Sequence, residues 1–222
     1  MTADLSIIMP VLNEEAGIVQ TLDRLAPLRR HGAEVIVVDG GSHDRTLALC
    51  AGRVDTIIPA PRGRASQQNA GAQQASAATF LFLHADTALP PDALALIAAC
   101  GREWGRFDVA IDGNSLMFPV ISALMNLRSR LTGIATGDQA IFVRRELFEA
   151  VGGFPDQALM EDCELSKRLR ARVRPACLKA KVTTSGRRWE RYGIWRTMAL
   201  MWRLRLLYWL GVPAERLAKF YR

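Results

Sequence analysis

Short apolar runs broken by turn residues alternate, through the first half of the chain, with segments whose apolar residues recur every three or four positions. LSIIM at 5–9, stopped by Pro10, EVIVV at 34–38, Val54 to Ile58, and TFLFL from Thr79 up to His84, Ala85 and Asp86 each read as a buried strand. Between them, Ile18, Leu22 and Leu25 fall at helical spacing behind Asn13, Glu14 and Glu15, acids that suit a first turn. Gly40-Gly41 turns the chain, and Ser42 is placed to cap a helix through Leu47 and Leu49. Gly63 to Ala72 leads into an Ala/Gln-rich helix. Strand and helix alternating over short turns predicts an α/β fold around a doubly wound parallel sheet.

The second half is less regular. The pattern predicts a helix over 92–104, a strand over 107–111, a helix over 116–131, a short strand over 140–143 and a short helix over 144–151 closed by Gly152-Gly153. Met160-Glu161-Asp162 opens a helix with Leu165 and Leu169 on one face, acidic at its start and basic at its end. A last apolar helix runs from Ile194 to Leu210, with Arg196 and Arg203 on one face and Met198, Met201, Trp202 and Trp209 on the other. Arg205 falls among the apolar group, which a simple core helix does not want. Such a helix suits a membrane interface, with Trp and Arg at headgroup depth, or packing against the domain or a second subunit. A final basic helix follows Gly211 and Pro213.

The chain's 222 residues suffice for one large domain with a real core. Its net charge of +7 is uneven: residues 1–163 hold 13 Lys/Arg against 19 Asp/Glu, and 164–222 hold 16 against 3. A basic last quarter points to an acidic partner, whether phosphorylated substrate or anionic membrane surface, with nucleic acid ranked last. Cys50, Cys100, Cys163 and Cys177 are far apart and form no CxxC or Cys/His cluster. With no basic leader at the N-terminus and no apolar stretch of 18 residues, a cytoplasmic protein is expected, at most peripheral at the inner face of a membrane.

In open α/β sheets ligands bind outside the carboxyl ends of the strands, which is where Asp39 and Asp86 stand. One such carboxylate can accept an N–H from a base, and another can hold Mg²⁺ or Mn²⁺ whose remaining positions are filled by phosphates and water. Arg64, near a helix start among small residues, is placed to pair with phosphate. Singly, each Asp is as well explained as a turn or cap residue; jointly they outline a nucleoside diphosphate site. Asp162 beside Glu161 is a candidate general base, and the pair also suits the helix dipole. Gly40-Gly41 is not the dinucleotide fingerprint, which argues against a nicotinamide enzyme.

SIIMPVLNEE, VIVVDGGSHDRT, GRASQQNAGA, FLFLHADT, TGDQAIFVRRELFEAVGGFP and EDCELSKRL, in this order and spacing, resemble the family 2 glycosyltransferases of the GT-A fold over about residues 5–172. The tail RRWERYGIWRT is similar to a small bacterial subgroup labelled arsenosugar-biosynthesis glycosyltransferases. The resemblance implies a mostly parallel nucleotide-binding sheet flanked by helices, with a nucleotide-binding half (1–112), an acceptor-side half (113–185) and basic amphipathic C-terminal helices (186–222). It implies that Pro10, Asn13, Glu14, Asp39, Arg64 and Asn69 hold a UDP- or GDP-type sugar donor and that Asp86 binds the metal. Gly137, Asp138, Gln139, Glu161, Arg188 and Trp189 would then shape the sugar and acceptor site, with Asp162 the base of an inverting transfer to an acceptor hydroxyl.

Two departures stand out. The family's metal motif usually has two acids around one residue, and here the first is His84, which is expected to pack or donate to phosphate. Ser185 and Gly186 replace the Gln found before the arginine-tryptophan pair in processive synthases, so a processive polymer synthase is not expected. The competing readings are a sugar-nucleotidyltransferase, which would want a glycine-rich phosphate loop after the first strand, and a nucleotide-binding or membrane-surface module without turnover.

Overall fold

A computed structural model describes residues 4–221. In chain order the elements are β1 (Leu5–Val11), α1 (Ile18–Arg30), β2 (Ala33–Asp39), α2 (Thr46–Cys50), β3 (Thr56–Pro59), α3 (Arg64–Gln74), β4 (Thr79–Phe82), β5 (Thr87–Ala88), α4 (Ala93–Ala99) and β6 (Trp104–Asp112). Then come α5 (Phe118–Thr132), a 3₁₀ turn (Gly137–Gln139), β7 (Ile141–Arg144), α6 (Arg145–Ala150), α7 (Glu161–Arg172), β8 (Ala176–Ser185), α8 (Arg187–Tyr192), α9 (Ile194–Trp209) and α10 (Ala214–Ala218).

One eight-stranded sheet, in the order β3-β2-β1-β4-β7-β6-β8-β5, crosses the molecule. The first four strands are parallel, as the apolar runs predict, because each returns through a crossover segment. Beyond β4 the sheet is mixed: β7 is antiparallel to both β4 and β6, β8 is parallel to β6, and β5 is antiparallel to β8. A doubly wound parallel sheet therefore describes only its first half. Apolar layers cover both faces, one built on Ile7, Met9, Val35, Val37 and Leu81 against α1, the other on Ile8, Ile36, Val38, Phe80 and Phe82 against α3. Close approach of α3 depends on Gly71, where a Cβ would lie 2.4 Å from Ile8 Cγ2 and 3.0 Å from Val38 Cγ2.

Several boundaries differ from the sequence pattern for identifiable reasons. β1 continues through Pro10, which pairs with Val38 after β4 has ended opposite Ile8, so the missing N–H leaves no ladder partner on that side. α1 starts at Ile18, and Asn13, Glu14 and Glu15 form a loop instead, their N–H groups donating to Ser42 Oγ, Thr46 Oγ1 and Asp44 Oδ2. Ser42 does not cap α2, because its hydroxyl donates to Asp39. α4 ends at Ala99, and Trp104 instead opens β6, fully buried with its indole N–H on the Val173 carbonyl at 2.7 Å.

Strand β8 was not anticipated, although Lys179-Ala180-Lys181-Val182-Thr183-Thr184 alternates exposed and covered positions as an edge-side strand should. α9 forms where expected but turns differently. Thr197 and Leu204 face inward, Leu204 packing with Leu159, Met160 and Leu217, while Trp202 and Trp209 are 62% and 80% exposed. Among the described residues no helix is long and apolar enough to cross a membrane.

Candidate active site

The carboxyl end of β1, the loop after β4 and the start of α3 open into a cavity of about 690 Å³, roofed from the other half by β8, α8 and α9 and by Tyr221; Asp39, at the end of β2, does not line it. Its size suits a ligand of several rings and phosphates. Pro10, Asn13, Glu14, Arg64, Asp86, Asp138, Arg188 and Trp189, eight of the residues expected at the site, line it together.

Beneath the lining residues Asn13 and Gln67 lies a lattice of mutually satisfied polar groups. Asp39, buried at the end of β2, accepts from the N–H of Gly41 at 3.0 Å and from the N–H and hydroxyl of Ser42 at 3.0 and 2.5 Å. Asn13, held at φ 55°, accepts the His43 N–H on its side-chain oxygen at 2.8 Å. Gln67 donates to the carbonyls of Val11 at 2.9 Å and Val38 at 2.7 Å, tying the ends of β1 and β2.

Asp86 is exposed on the wall, with only a long 3.5 Å contact from the Thr87 hydroxyl. That hydroxyl also donates to Thr184 Oγ1 at 3.1 Å, and β5 pairs with β8 at this level, so the unanticipated strand fixes the loop that carries Asp86. Burial, and next the charge of Asp86, raise the pKa of Glu14, while Arg187 at 3.9 Å opposes them. A free carboxylate with hard oxygen donors beside a second carboxyl suits a divalent cation such as Mg²⁺ or Mn²⁺, completed by ligand oxygens. Among the described residues no cluster of three or more His, Cys, Asp or Glu side chains could hold a metal alone.

Arg64 opens α3 and extends into the cavity, where it is exposed. Burial alone would lower its pKa, but Tyr221, Glu161, Asp138 and Asp162 around it raise it, so the guanidinium stays charged. His84 Nδ1 lies 3.4 Å from Asp138 Oδ1. Its ring leaves no space for a side chain at Gly137, where a Cβ would sit 2.4 Å from Nε2. Burial opposes ionisation of Asp138, yet its hydrogen bond with His84 and the positive charges of Arg64 and Arg205 lower its pKa overall.

Asp162 is not on the cavity wall but stands one hydrogen bond behind it. Its Oδ2 accepts the Gly137 N–H at 2.8 Å and its Oδ1 accepts the Cys163 N–H at 2.7 Å, so both oxygens are aimed by backbone. Glu161 is buried beside it, and burial followed by the charge of Asp162 raises the pKa of Glu161.

Three expected site residues have other duties. Asn69 clips α3 to the loop after α6, donating to the Phe154 carbonyl at 2.9 Å and accepting its N–H at 3.0 Å, and does not line the cavity. Gln139 is fully buried, its amide engaged with the Thr136 N–H and Asn126 Oδ1 at 3.3 Å each, so it holds the 3₁₀ turn rather than a ligand. Gly137 acts through its N–H on Asp162. Conversely, Thr184, Arg187, Tyr192 and Tyr221 line the cavity without having been anticipated. The Thr184 position is readable from the alternation in β8; Tyr221 has no local signal, because it arrives by a tertiary contact in which the Arg188 guanidinium stacks 3.8 Å above its ring and donates to its carbonyl.

Comparison with known proteins places this geometry in context. Residues 6–111 match the family model described as Glycosyl transferase family 2. The chain is 31% identical over 156 residues to the undecaprenyl-phosphate 4-deoxy-4-formamido-L-arabinose transferase of Pseudomonas fluorescens, covering 63% of this chain and 45% of that one. The chain thus spans less than half the length of that relative. The fold is that of TarS 1-349 of S. aureus in complex with UDP, with a TM-score of 0.65 at 22% identity over 82% of this chain and 60% of that one. The mannosyltransferase PcManGT of Pyrobaculum calidifontis, in complex with GDP-Man and Mn²⁺, superposes with a TM-score of 0.61 at 23% identity, over 82% of this chain and 57% of that one.

Proposed function

We propose, from the match of residues 6–111 to glycosyl transferase family 2, that the protein is an inverting glycosyltransferase that moves a sugar from a UDP- or GDP-type donor to an acceptor hydroxyl. The observation that carries the reading is one cavity that joins Pro10, Asn13 and Glu14 at the end of β1, the exposed Asp86 and a charged Arg64, with Asp162 held behind its wall by the Gly137 N–H. Pro10, Asn13, Glu14 and Asp39 receive the nucleoside. Arg64, with Arg187 and Arg188 opposite, neutralises the diphosphate. Asp86 holds the divalent cation, Mg²⁺ or Mn²⁺. When bound, the cation stabilises negative charge that develops on the departing diphosphate.

Asp162 takes the proton of the acceptor hydroxyl on one of its two backbone-fixed oxygens, and the oxygen attacks the anomeric carbon from the face opposite the diphosphate, giving inversion. Asp138, Arg188 and Trp189 border the space left for the sugar and acceptor. Glu161 stands beside Asp162, its pKa raised by burial and then by the charge of Asp162. A binding module without turnover would need neither the oriented Asp162 nor a free carboxylate at Asp86. The test is to incubate the protein with UDP- and GDP-sugars and Mn²⁺ and to follow slow donor hydrolysis by proton NMR. First release of the inverted anomer by the wild type, lost in Asp162→Asn, is expected; release of the retained anomer contradicts the mechanism.

The outward face of α9 carries Trp195, Trp202, Leu206 and Trp209 beside Arg196 and Arg203. Exposed tryptophans interleaved with arginines on one helix fit the headgroup layer of an anionic membrane by charge and amphipathicity. We infer that this face rests there and brings the cavity to its acceptor. Co-sedimentation with phosphatidylglycerol vesicles, absent with phosphatidylcholine and lost in Trp202→Ser/Trp209→Ser, is the expected result; dimerisation through α9 without vesicle binding contradicts it.

A further inference from the structure

α5 is apolar on the side where a surface helix normally carries charge. Its buried residues are Phe118, Ile121, Ser122, Asn126 and Ser129, and the Ser122 and Asn126 side chains accept the N–H groups of Ile111 and Val109 in β6. Val120, Leu124, Leu127 and Leu131 are all exposed, Leu131 to 77%, as is Leu116 just before the helix, to 93%. At 3.6 residues per turn the four helical positions fall within roughly 60° of arc, on the side away from the core. Residues three and four apart are neighbours on a helix, so they form one continuous strip rather than scattered surface residues.

Exposure of large apolar side chains is concentrated, not general. Ten of the fourteen such residues among those described lie within 116–131 or 195–210, that is, on α5 and α9 or at their ends. Both helices border the nucleotide cavity, α5 through Met125 and α9 through Thr197 and Met201. Their charge is one-sided as well: residues 113–137 and 193–214 contain Arg128, Arg130, Arg196, Arg203 and Arg205 and no Asp or Glu.

That charge pattern selects the occupant. A second copy seated through these helices would set arginines against arginines with no carboxylate between them, and an acidic soluble partner would match the arginines but not the uncharged strip. An anionic bilayer answers both, with headgroups for the Trp and Arg of α9 and an acyl boundary for the aliphatic strip of α5.

We propose that α5 is a second membrane-contacting helix, whose strip from Val120 to Leu131 enters the acyl boundary of an anionic bilayer and, together with α9, holds the cavity that both border at the bilayer surface. The proposal deepens the membrane contact inferred for α9 and rests on that reading for its occupant, but it stands on a different helix and does not depend on the transfer chemistry.

The test is co-sedimentation of the full chain with phosphatidylglycerol and with phosphatidylcholine vesicles, for wild type, Leu124→Gln/Leu127→Gln and Trp202→Ser/Trp209→Ser, beside sedimentation velocity without lipid. Gln matches Leu in helix propensity, so the leucine variant should melt close to the wild-type temperature. Withdrawing even one leucine from an apolar layer is worth about tenfold or more in an equilibrium, so the leucine variant should bind phosphatidylglycerol vesicles at least tenfold more weakly although α9 is intact. Leu131→Gln alone, at the most exposed helical position, should weaken binding in the same direction and reads the contact if the double variant does not fold. Unchanged vesicle binding in the folded leucine variants overturns the proposal. So does a wild-type dimer that the leucine variant turns into a monomer without either protein binding vesicles, which would identify a second copy as the occupant. Loss of binding in the leucine variant but not in the tryptophan variant supports α5 and removes α9; the reverse removes α5 alone.

Discussion

The floor of the cavity, built from the parallel strands, and the helical side above it handle polar groups in opposite ways. On the floor nearly every polar atom is already paired: Asp39 with Gly41 and Ser42, Asn13 with His43, Gln67 with two strand-end carbonyls. On the helical side Arg128 is buried without a partner and Arg205 makes no ion pair among the described residues. A paired network holds its own geometry in place; a buried guanidinium without partners is a cost that the rest of the fold offsets.

The sharpest way to separate the two sides is Asp162→Asn. It should lower transfer about 10²–10⁴-fold, the usual worth of a general base, and leave nucleotide affinity within twofold. Next in size is Gly105→Ala, where β6 meets β8. A Cβ there would lie 2.5 Å from the Ala176 carbonyl oxygen and 2.6 Å from the Phe142 ring, and backbone cannot yield as a side chain does. A loss of about 1–3 kcal/mol in denaturant unfolding is expected, with the Asp86 loop loosened through β8 and β5.

Asn69→Ala should cost a comparable or smaller amount, about 1–2 kcal/mol for two partly buried hydrogen bonds, without changing nucleotide affinity. A large loss of nucleotide affinity with unchanged stability would return Asn69 to the donor pocket. The smallest effect is a pH slope. Because the pKa of Glu161 is raised in the folded state, the folded protein binds more protons than the unfolded one just above the ordinary glutamate pKa, and stability falls as pH rises from about 4.5 through the raised value. Glu161→Gln should flatten that slope, as measured by melting temperature against pH.

The parallel half is legible in the sequence because buried strands are short apolar runs and their ends are marked by Asp39 and Asp86, residues a core would not choose. The floor residues Asn13 and Asp39 could be named, but not the network that engages them, since their partners Ser42 and His43 lie across a loop. Asn69 and Gln139 sit inside ordered motifs yet serve packing, and motif order alone does not separate a ligand contact from the clip beside it. β8 gives a weak signal because its covered positions are Ala180, Val182 and Thr184, of which only Val182 is strongly apolar, and its pairing partners are strands distant in sequence. Arg205 is visible as a misfit in its helix, whereas the burial of Arg128 without a hydrogen-bond partner for its Nε and Nη2 among the described residues has no local signal.

The central claim, a nucleotide donor site centred on Asp39 and Asp86, is tested most directly by calorimetric titration of wild type and Asp86→Ala with UDP and with GDP, each with and without Mn²⁺. The account predicts that one nucleotide binds the wild type in a metal-dependent way and that Asp86→Ala loses the metal dependence while remaining folded. Binding that is the same in both proteins and indifferent to Mn²⁺, or no binding of either nucleotide to folded wild type, would contradict it.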